Sequence, residues 1–417
     1  MHSRSPRLFI SGLLIIATLV AFGRPRAAEL SVLYAGSDLM APVQNNFKAH
    51  FERTHSGDKV SLEGALEYTD ARSVALRESV VGALQDVGYY CMSDVCILAQ
   101  RGIAKPLDDS IKNDPDWSST GVSEKALDVT RCNGVIYGLP FSASVMVVMY
   151  NKKLVAKAGW NPNALPTTWP DILRLARSIQ STSGGIAINY DGDSSWSFMT
   201  LAMSRGGKIL AADGKDIAFD SKQGLEALQI LADIGAARNH VDMTKAQARQ
   251  AFISGTLGIL VDSSSGLANY KKAARGEFEI GVVPFPVTES GRVPASGMAG
   301  ILQTDTGKKK GLAWDYLKYS VSADGQTVLG KMTSFQPFNN IAVQSADKLG
   351  TYYSENPELL TAAKSLKNAA AWPSFPGPNG LKIQQVFTIY LQKVYTGTMT
   401  PDAALAEIAR ETSGLLK

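Results

Sequence analysis

Short apolar runs alternate with amphipathic stretches along most of the chain. Residues 30–35 (LSVLYA) are apolar and β-prone, and Gly36-Ser37-Asp38 breaks the run. A helix is expected through 43–50, with Phe47 and Phe51 four apart on one face. Strands are expected at 59–63 and 86–90, with a helix through 71–84 between them. Ser93 is placed to cap a helix running to Gln100, which Gly102 ends. Further on, Asn133-Gly134 turns into 135–141, and 145–150 is a continuous apolar strand. Thr168 reads as the N-cap of a helix whose Ile172, Leu175, Ala176 and Ile179 share one face. Residues 258–262 form another strand, followed by a serine run and a helix from about Gly266. Residues 280–283 form a strand closed by Pro284 and Pro286, and Trp314, Leu317 and Val321 mark a buried helical stripe. Strands alternating with helices predict an α/β protein with a mainly parallel sheet. No repeat or low-complexity linker divides the chain, so two α/β lobes joined by several chain crossings are expected.

Composition agrees with a well-packed protein: 417 residues, 45% apolar and 19% charged. The formal charge of +4 has a local origin. Residues 1–28 hold Arg4, Arg7, Arg24 and Arg26 and no acid, around an apolar run at 8–23. A basic start, an apolar run and Ala27-Ala28 before Glu29 read as an export signal cleaved near residue 28, an uncleaved anchor being the alternative. Without residues 1–28 the chain keeps 38 basic and 38 acidic residues. That neutral balance removes the case for nucleic acid.

The three cysteines, Cys91, Cys96 and Cys132, allow one internal bridge at most, and sequence leaves its pairing open. None has zinc or redox spacing. After residue 28 the histidines are His50, His55 and His240, and HExxH, GxSxG, GxxxxGK[ST] and GxGxxG are all missing. No cofactor and no metal are therefore expected. Asp191-Gly192-Asp193 lacks the closing glutamate of a calcium loop and reads as a polar turn.

Four ordered elements carry a resemblance: Tyr137-Gly138-Leu139-Pro140-Phe141, Met149-Tyr150-Asn151-Lys152, Ala158-Gly159 and Pro166-Thr167-Thr168-Trp169. Gly206-Gly207, Phe252-Ile253-Ser254-Gly255, Pro284-Phe285-Pro286, Ala313-Trp314 and Thr333-Ser334-Phe335-Gln336-Pro337 extend it through the chain. Together they are similar to family 1 extracellular solute-binding proteins, the sugar-type receptors of ATP-driven importers. Ser265-Gly266-Leu267-Ala268-Asn269 and Tyr395-Thr396-Gly397 lean toward the glycerol-3-phosphate-binding branch. The resemblance implies a two-lobed periplasmic-binding-protein fold of type II with hinge strands. It divides the chain into signal (1–28), lobe 1 (29–141 plus 301–334) and lobe 2 (142–300 plus 335–417). It also implies a periplasmic, monomeric, non-enzymatic receptor that takes a small saccharide or polyol to the membrane permease of an ABC importer. A receptor for glycerol-3-phosphate or another phosphorylated polyol, an exported glycan-processing enzyme and a receptor that signals to a sensor are the rivals.

A sugar-like ligand needs aromatic planes for its C–H faces and short polar groups for its hydroxyls. Tyr68, and Tyr89-Tyr90 at the carboxyl end of the third strand, are candidates, with ordinary packing the alternative. Ser142 and Ser144 lie where the chain crosses between lobes, and the resemblance places ligand contacts there. Ser263 and Ser264 stand in a run between a strand and a helix start, where hydroxyls and free N–H groups meet; plain capping is the alternative. Gly297 matches a position of close backbone approach, to ligand or within a hinge. Trp196 and Trp372 are stacking candidates against a core-packing alternative. Phe335 stands at a branch tyrosine position, Met92 near a branch acid and Gln384 near a phosphate-facing arginine, with Lys382 as a substitute cation. Losing acid and cation together points to a neutral saccharide or polyol, because a phosphate in a closed cleft needs charge compensation.

Overall fold

The computed structural model describes residues 28–416 except 189–194, 213, 240–241, 306, 366–367, 371, 374 and 378. The expected export segment apart from Ala28, the Asp191-Gly192-Asp193 turn and His240 lie outside the described residues.

Nine strands build the two main sheets: β1 Glu29–Tyr34, β2 Lys59–Gly64, β3 Val87–Cys91, β4 Leu139–Ser144, β5 Met146–Asn151, β6 Gly184–Ile188, β7 Leu257–Ser263, β8 Ile280–Pro284 and β9 Ser296–Leu302. The first sheet has the order β2-β1-β3-β9-β4 and the second β8-β5-β7-β6. β2, β1 and β3 are parallel, with Glu29 opposite Lys59 and Val32 opposite Val87. β9 runs antiparallel to both β3 and β4, and in the second sheet only β6 and β7 are parallel. Parallel pairing, expected to predominate, is therefore confined to β2-β1-β3 and to the pair β6-β7. The first three strands are joined by the helices α1 Ser37–Thr54 and α2 Tyr68–Val81; β4 runs in the same direction, and only β9, which enters after the chain has crossed to the other lobe and back, is reversed.

Two separate hydrophobic cores result. The first packs Val32, Phe47, Val87, Phe141, Ile301 and Leu317, with Phe47 edge-on to Phe141 at 6.0 Å. The second packs Val148, Ile172, Phe198, Phe252, Ile259 and Phe387. All of β9 pairs within the first sheet. Residues 296–300 thus lie with the first lobe, not with the span 142–300 expected in the second, because dividing the strand at 300 would break its ladder on both sides. Phe335, also expected in the second lobe, packs in the first core.

Local sequence explains the elements. α1 begins six residues before the expected start, directly after Gly36 at φ 67°, and carries Pro42 inside it. Met40, Val43, Phe47 and Phe51 form its buried stripe. Thr168 caps the helix α3 Trp169–Gln180, whose four predicted apolar positions are buried. Ser93 does not cap as expected; its hydroxyl donates to Cys91 Sγ at 3.1 Å, and a 3-10 turn precedes the helix Val95–Gln100. Asn133 (φ 50°) and Gly134 (φ 86°) form the two-residue turn between Arg131–Cys132 and Val135–Ile136. Cys132 of that hairpin bridges to Cys96, leaving Cys91 buried and outside the disulfide.

The chain passes between the lobes after Ser144, before Ser296 and around Gln336. These passages lie side by side. Ala143 faces Gly297 on one flank, and on the other its N–H donates to the Gln336 carbonyl (2.9 Å) while Gln336 N–H donates back (2.7 Å). Buried Gln326, on the helix α8 Ala323–Met332 after α7 Gly307–Val321, donates from Nε2 to the Phe141 carbonyl and accepts from Phe338 N–H. The remaining helices named below are α4 Ser195–Met203, α5 Lys222–Ala236, α6 Lys245–Ile253, α9 Gly380–Tyr395 and α10 Pro401–Leu416. The last two pack on α5 in the second lobe.

Candidate ligand-binding cleft

A cleft lies between the lobes, beside the crossings. The first lobe lines it with Met40 of α1, Leu66 and Tyr68 at the start of α2, and Phe335. The second lobe supplies Trp196 of α4, Lys245 and Arg249 of α6, and Ser263 and Ser265. Ser144 and Ser296, opposite each other across β4 and β9, form the hinge-side wall. A Glu67–Asp70 capping box fixes the N-terminus of α2, and a Thr244–Gln247 box fixes that of α6, so Tyr68 and Lys245 are presented from rigid first turns.

Of the residues expected at the ligand, Tyr68, Ser144, Trp196, Ser263 and Phe335 line this one space. Trp372 stacks on Trp196 at 5.7 Å and 21°, and lines an adjoining space. Trp196 is held by its indole N–H, which donates to the Pro294 carbonyl at 2.9 Å.

Five expected residues do not line either space. Tyr89 and Tyr90 are fully buried in the first core, Tyr89 against Phe141 at 4.8 Å and Tyr90 donating to Gln303 Oε1 at 3.2 Å. Burial pushes both phenols above their ordinary pKa. Ser142 is buried and accepts from Met298 N–H. Ser264 accepts from Val145 N–H at 3.4 Å and is likewise buried. Gly297 sits at φ 148°, and a Cβ there would meet the Ser142 carbonyl oxygen at 1.9 Å. Its glycine is thus required by the hinge ladder itself.

The serine run alternates. Ser263 and Ser265 face the cleft and share a hydrogen bond of 2.8 Å between hydroxyls, while Ser264 turns away. Ser265 thus joins Ser263 at the cleft, and alternation at a strand end is the sequence signal that marks it.

The charged groups carry no motif in the sequence. Arg249 donates to both oxygens of Asp262 at 2.7 and 3.3 Å, and Tyr270 also donates to this fully buried carboxylate. Burial alone would raise the Asp262 pKa, but the charge and hydrogen bonds of Arg249 outweigh it and hold the carboxyl below its ordinary range. Lys245 reaches across the cleft to Glu67 at 2.7 Å, from one lobe to the other. Arg72 of α2 pairs with buried Asp94 and also donates to Gln384 Oε1 at 3.5 Å. An arginine therefore does stand beside Gln384, contributed by the opposite lobe, while Lys382 is exposed and lines neither space. Lys245 with Glu67 and Arg72 with Gln384 join segments far apart in the chain, whereas Arg249 and Tyr270 lie only 13 and 8 residues from Asp262 but on separate elements.

Among the described residues no group of three or more metal-ligating side chains occurs, and no helix is long and apolar enough to cross a membrane.

A family model for bacterial extracellular solute-binding protein matches residues 47–361, well over half of the chain. The chain is 24% identical over 427 residues to the sn-glycerol-3-phosphate-binding periplasmic protein UgpB of Pectobacterium atrosepticum, covering 96% of this chain and 94% of that one. The UgpB of Yersinia pseudotuberculosis is 26% identical over 307 residues, 68% of each chain. Among solved structures, the GacH receptor of Streptomyces glaucescens, described unliganded and with acarbose, superposes with a TM-score of 0.80 at 19% identity, covering 94% of this chain and 98% of that one. A Thermotoga lettingae ABC transporter solute-binding protein bound with α-D-tagatose gives 0.81 at 19%, covering 94% and 100%. UgpB from Mycobacterium tuberculosis in complex with glycerophosphocholine gives 0.80 at 17%, covering 92% and 98%. At these identities the superpositions establish a shared two-lobed fold.

Proposed function

The chain belongs to the bacterial extracellular solute-binding protein family, and from that premise we propose that it captures a neutral saccharide or polyol between its lobes. We further propose that it is exported to the periplasm, its leader being cleaved near residue 28, and delivers the solute as a monomer to an ABC importer permease.

One observation carries the ligand class. The cleft sets aromatic planes from both lobes (Tyr68, Phe335, Trp196) around four short hydroxyls (Ser144, Ser263, Ser265, Ser296). Such a lining suits sugar C–H faces and hydroxyls. The cations support neutrality: Lys245 is matched by Glu67, and Arg249 by Asp262. An anion would have to compete with carboxylates already in place. Micromolar capture, roughly −8 kcal/mol, is within reach of several hydroxyl hydrogen bonds and a ring stack, and the extra contacts made on closing drive the hinge.

A phosphorylated polyol is the second reading, favoured by the presence of Lys245 and Arg249 on the cleft wall and by relatives named for glycerol-3-phosphate. A glycan-processing enzyme has less support. The family model and the relatives named above are solute-binding proteins. Isothermal titration of the purified chain with neutral mono- and disaccharides and with glycerol-3-phosphate tests the proposal. Tighter binding of glycerol-3-phosphate than of every neutral sugar overturns it.

A further inference from the structure

Beyond the Trp196–Trp372 stack, Arg72 and Asp94 of the first lobe line the adjoining space and Gln384 of the second lobe faces them. Resting on the reading of a neutral solute above, we propose that Asp94 is a specificity-determining residue. Its carboxylate cancels the charge of Arg72 and so turns away phosphorylated solutes that the same guanidinium would otherwise hold.

Arg72 has donor capacity to spare. Nη1 pairs with Asp94, Nη2 lies 3.5 Å from Gln384 Oε1, and Nε has no hydrogen-bond partner among the described residues. Arg249, by contrast, commits Nε and Nη2 to Asp262, and Lys245 rests on Glu67. A guanidinium with unused donors, set where two lobes meet, suits an oxyanion gripped by paired N–H bonds. Being only 6% exposed, Arg72 would act on that anion through little intervening water.

Asp94 opposes this. It is 1% exposed, in contact with Arg72, and lines the same space, so an anion drawn to the guanidinium also meets the carboxylate. A neutral solute meets no such repulsion, and a repulsive group aimed at the wrong ligand is one way to discriminate. Gln384 adds an amide and no charge, while Arg101 reaches the space from an exposed position where water and salt screen it. Folding alone gives the pair little reason to be there, because apolar residues of similar volume often stabilise an interior as well as a buried ion pair does.

Asp94→Asn keeps the shape and removes the charge. It also strands the Arg72 cation and lowers stability, so Gln384→Arg serves as a second route: it adds a cation from the opposite lobe and leaves the buried pair intact. Calorimetry measures glycerol-3-phosphate and inorganic phosphate on the wild type and both variants. Each variant should bind glycerol-3-phosphate at least about tenfold tighter than the wild type, the scale of one charge-assisted hydrogen bond. Phosphate should also raise the melting temperature of Asp94→Asn above that in chloride of equal ionic strength, and leave the wild type unmoved. Adding Arg72→Met to Asp94→Asn should abolish the gain. A folded Asp94→Asn that gains nothing, or a gain that survives Arg72→Met, overturns the role of Asp94 and leaves the neutral-solute reading intact. If Asp94→Asn does not fold, a gain in Gln384→Arg supports the charge balance and its absence overturns it. A wild type that already binds glycerol-3-phosphate more tightly than every neutral sugar overturns that reading and the role of Asp94 together.

Discussion

On the hinge side the lobes meet through the main chain: Ala143 lies between Gly297 and Gln336, and Gln326 ties the first crossing to the third. Behind this ladder Asp262, wholly inaccessible, holds Arg249. At the mouth the lobes meet through side chains instead, Lys245 on Glu67, the latter with 37% of its side chain exposed, and Arg72 on Gln384. Main-chain bonds and buried ions have no good substitute when broken, whereas an exposed pair exchanges readily with water. The difference separates what defines the cleft from what trims its closing.

Arg249→Ala gives the largest test of that contrast. It leaves Asp262 buried without its cation and should cost about 3–5 kcal/mol, read from urea denaturation, with Asp262→Asn restoring part of the loss. Acid should reproduce it. The folded pKa of Asp262 lies below the ordinary 3.8, so the stability it contributes is complete above that value. The contribution is lost as pH falls through the folded pKa. In Arg249→Ala burial acts on Asp262 unopposed by that cation and raises its folded pKa, so the gap between the urea midpoints of wild type and variant should begin to narrow above the ordinary 3.8 and go on closing as pH falls through the wild-type folded pKa. A gap that stays constant over that whole range would mean another group is responsible.

Gly297→Ala ranks second. Its Cβ would lie 1.9 Å from the Ser142 carbonyl oxygen, which forces the first and second crossings apart for about 1–3 kcal/mol. Thermal unfolding followed by circular dichroism should show the drop, and an unchanged melting temperature would mean the ladder gives way without strain.

Lys245→Ala should be the smallest change, about 0.2–1 kcal/mol, and should disappear in 1 M salt, where screening acts within about 3 Å. An effect as large as that of Gly297→Ala, and insensitive to salt, would erase the distinction between hinge and mouth.

Periodicity was enough to find most of the elements. Leu30 to Tyr34, the stripe of α3 and the Trp314–Leu317–Val321 face are set by local patterning that tertiary packing reinforces. Topology was less legible: the reversal of β9 follows from a chain crossing, which has no local signature. The site divided in the same way. Tyr89 and Tyr90 alternate as strand residues should, but their sheet is covered on both faces, so both are buried and neither reaches the cleft. The serines lay in a visible run, and alternation alone separates Ser263 and Ser265 from Ser264. Glu67 with Lys245 and Arg72 with Gln384 lie 178 and 312 residues apart, and no pattern within one segment encodes such pairs.

Three crossings lying abreast also restrict how the two halves can move. A single tether would allow one half to swing and twist freely, but a hydrogen-bonded ribbon resists shear and torsion and leaves mainly a rotation about one line. Closing then fixes about one coordinate between the bodies instead of six. The orientational entropy lost on capture is chiefly the solute's own, so an assortment of individually weak contacts suffices to hold the lobes shut.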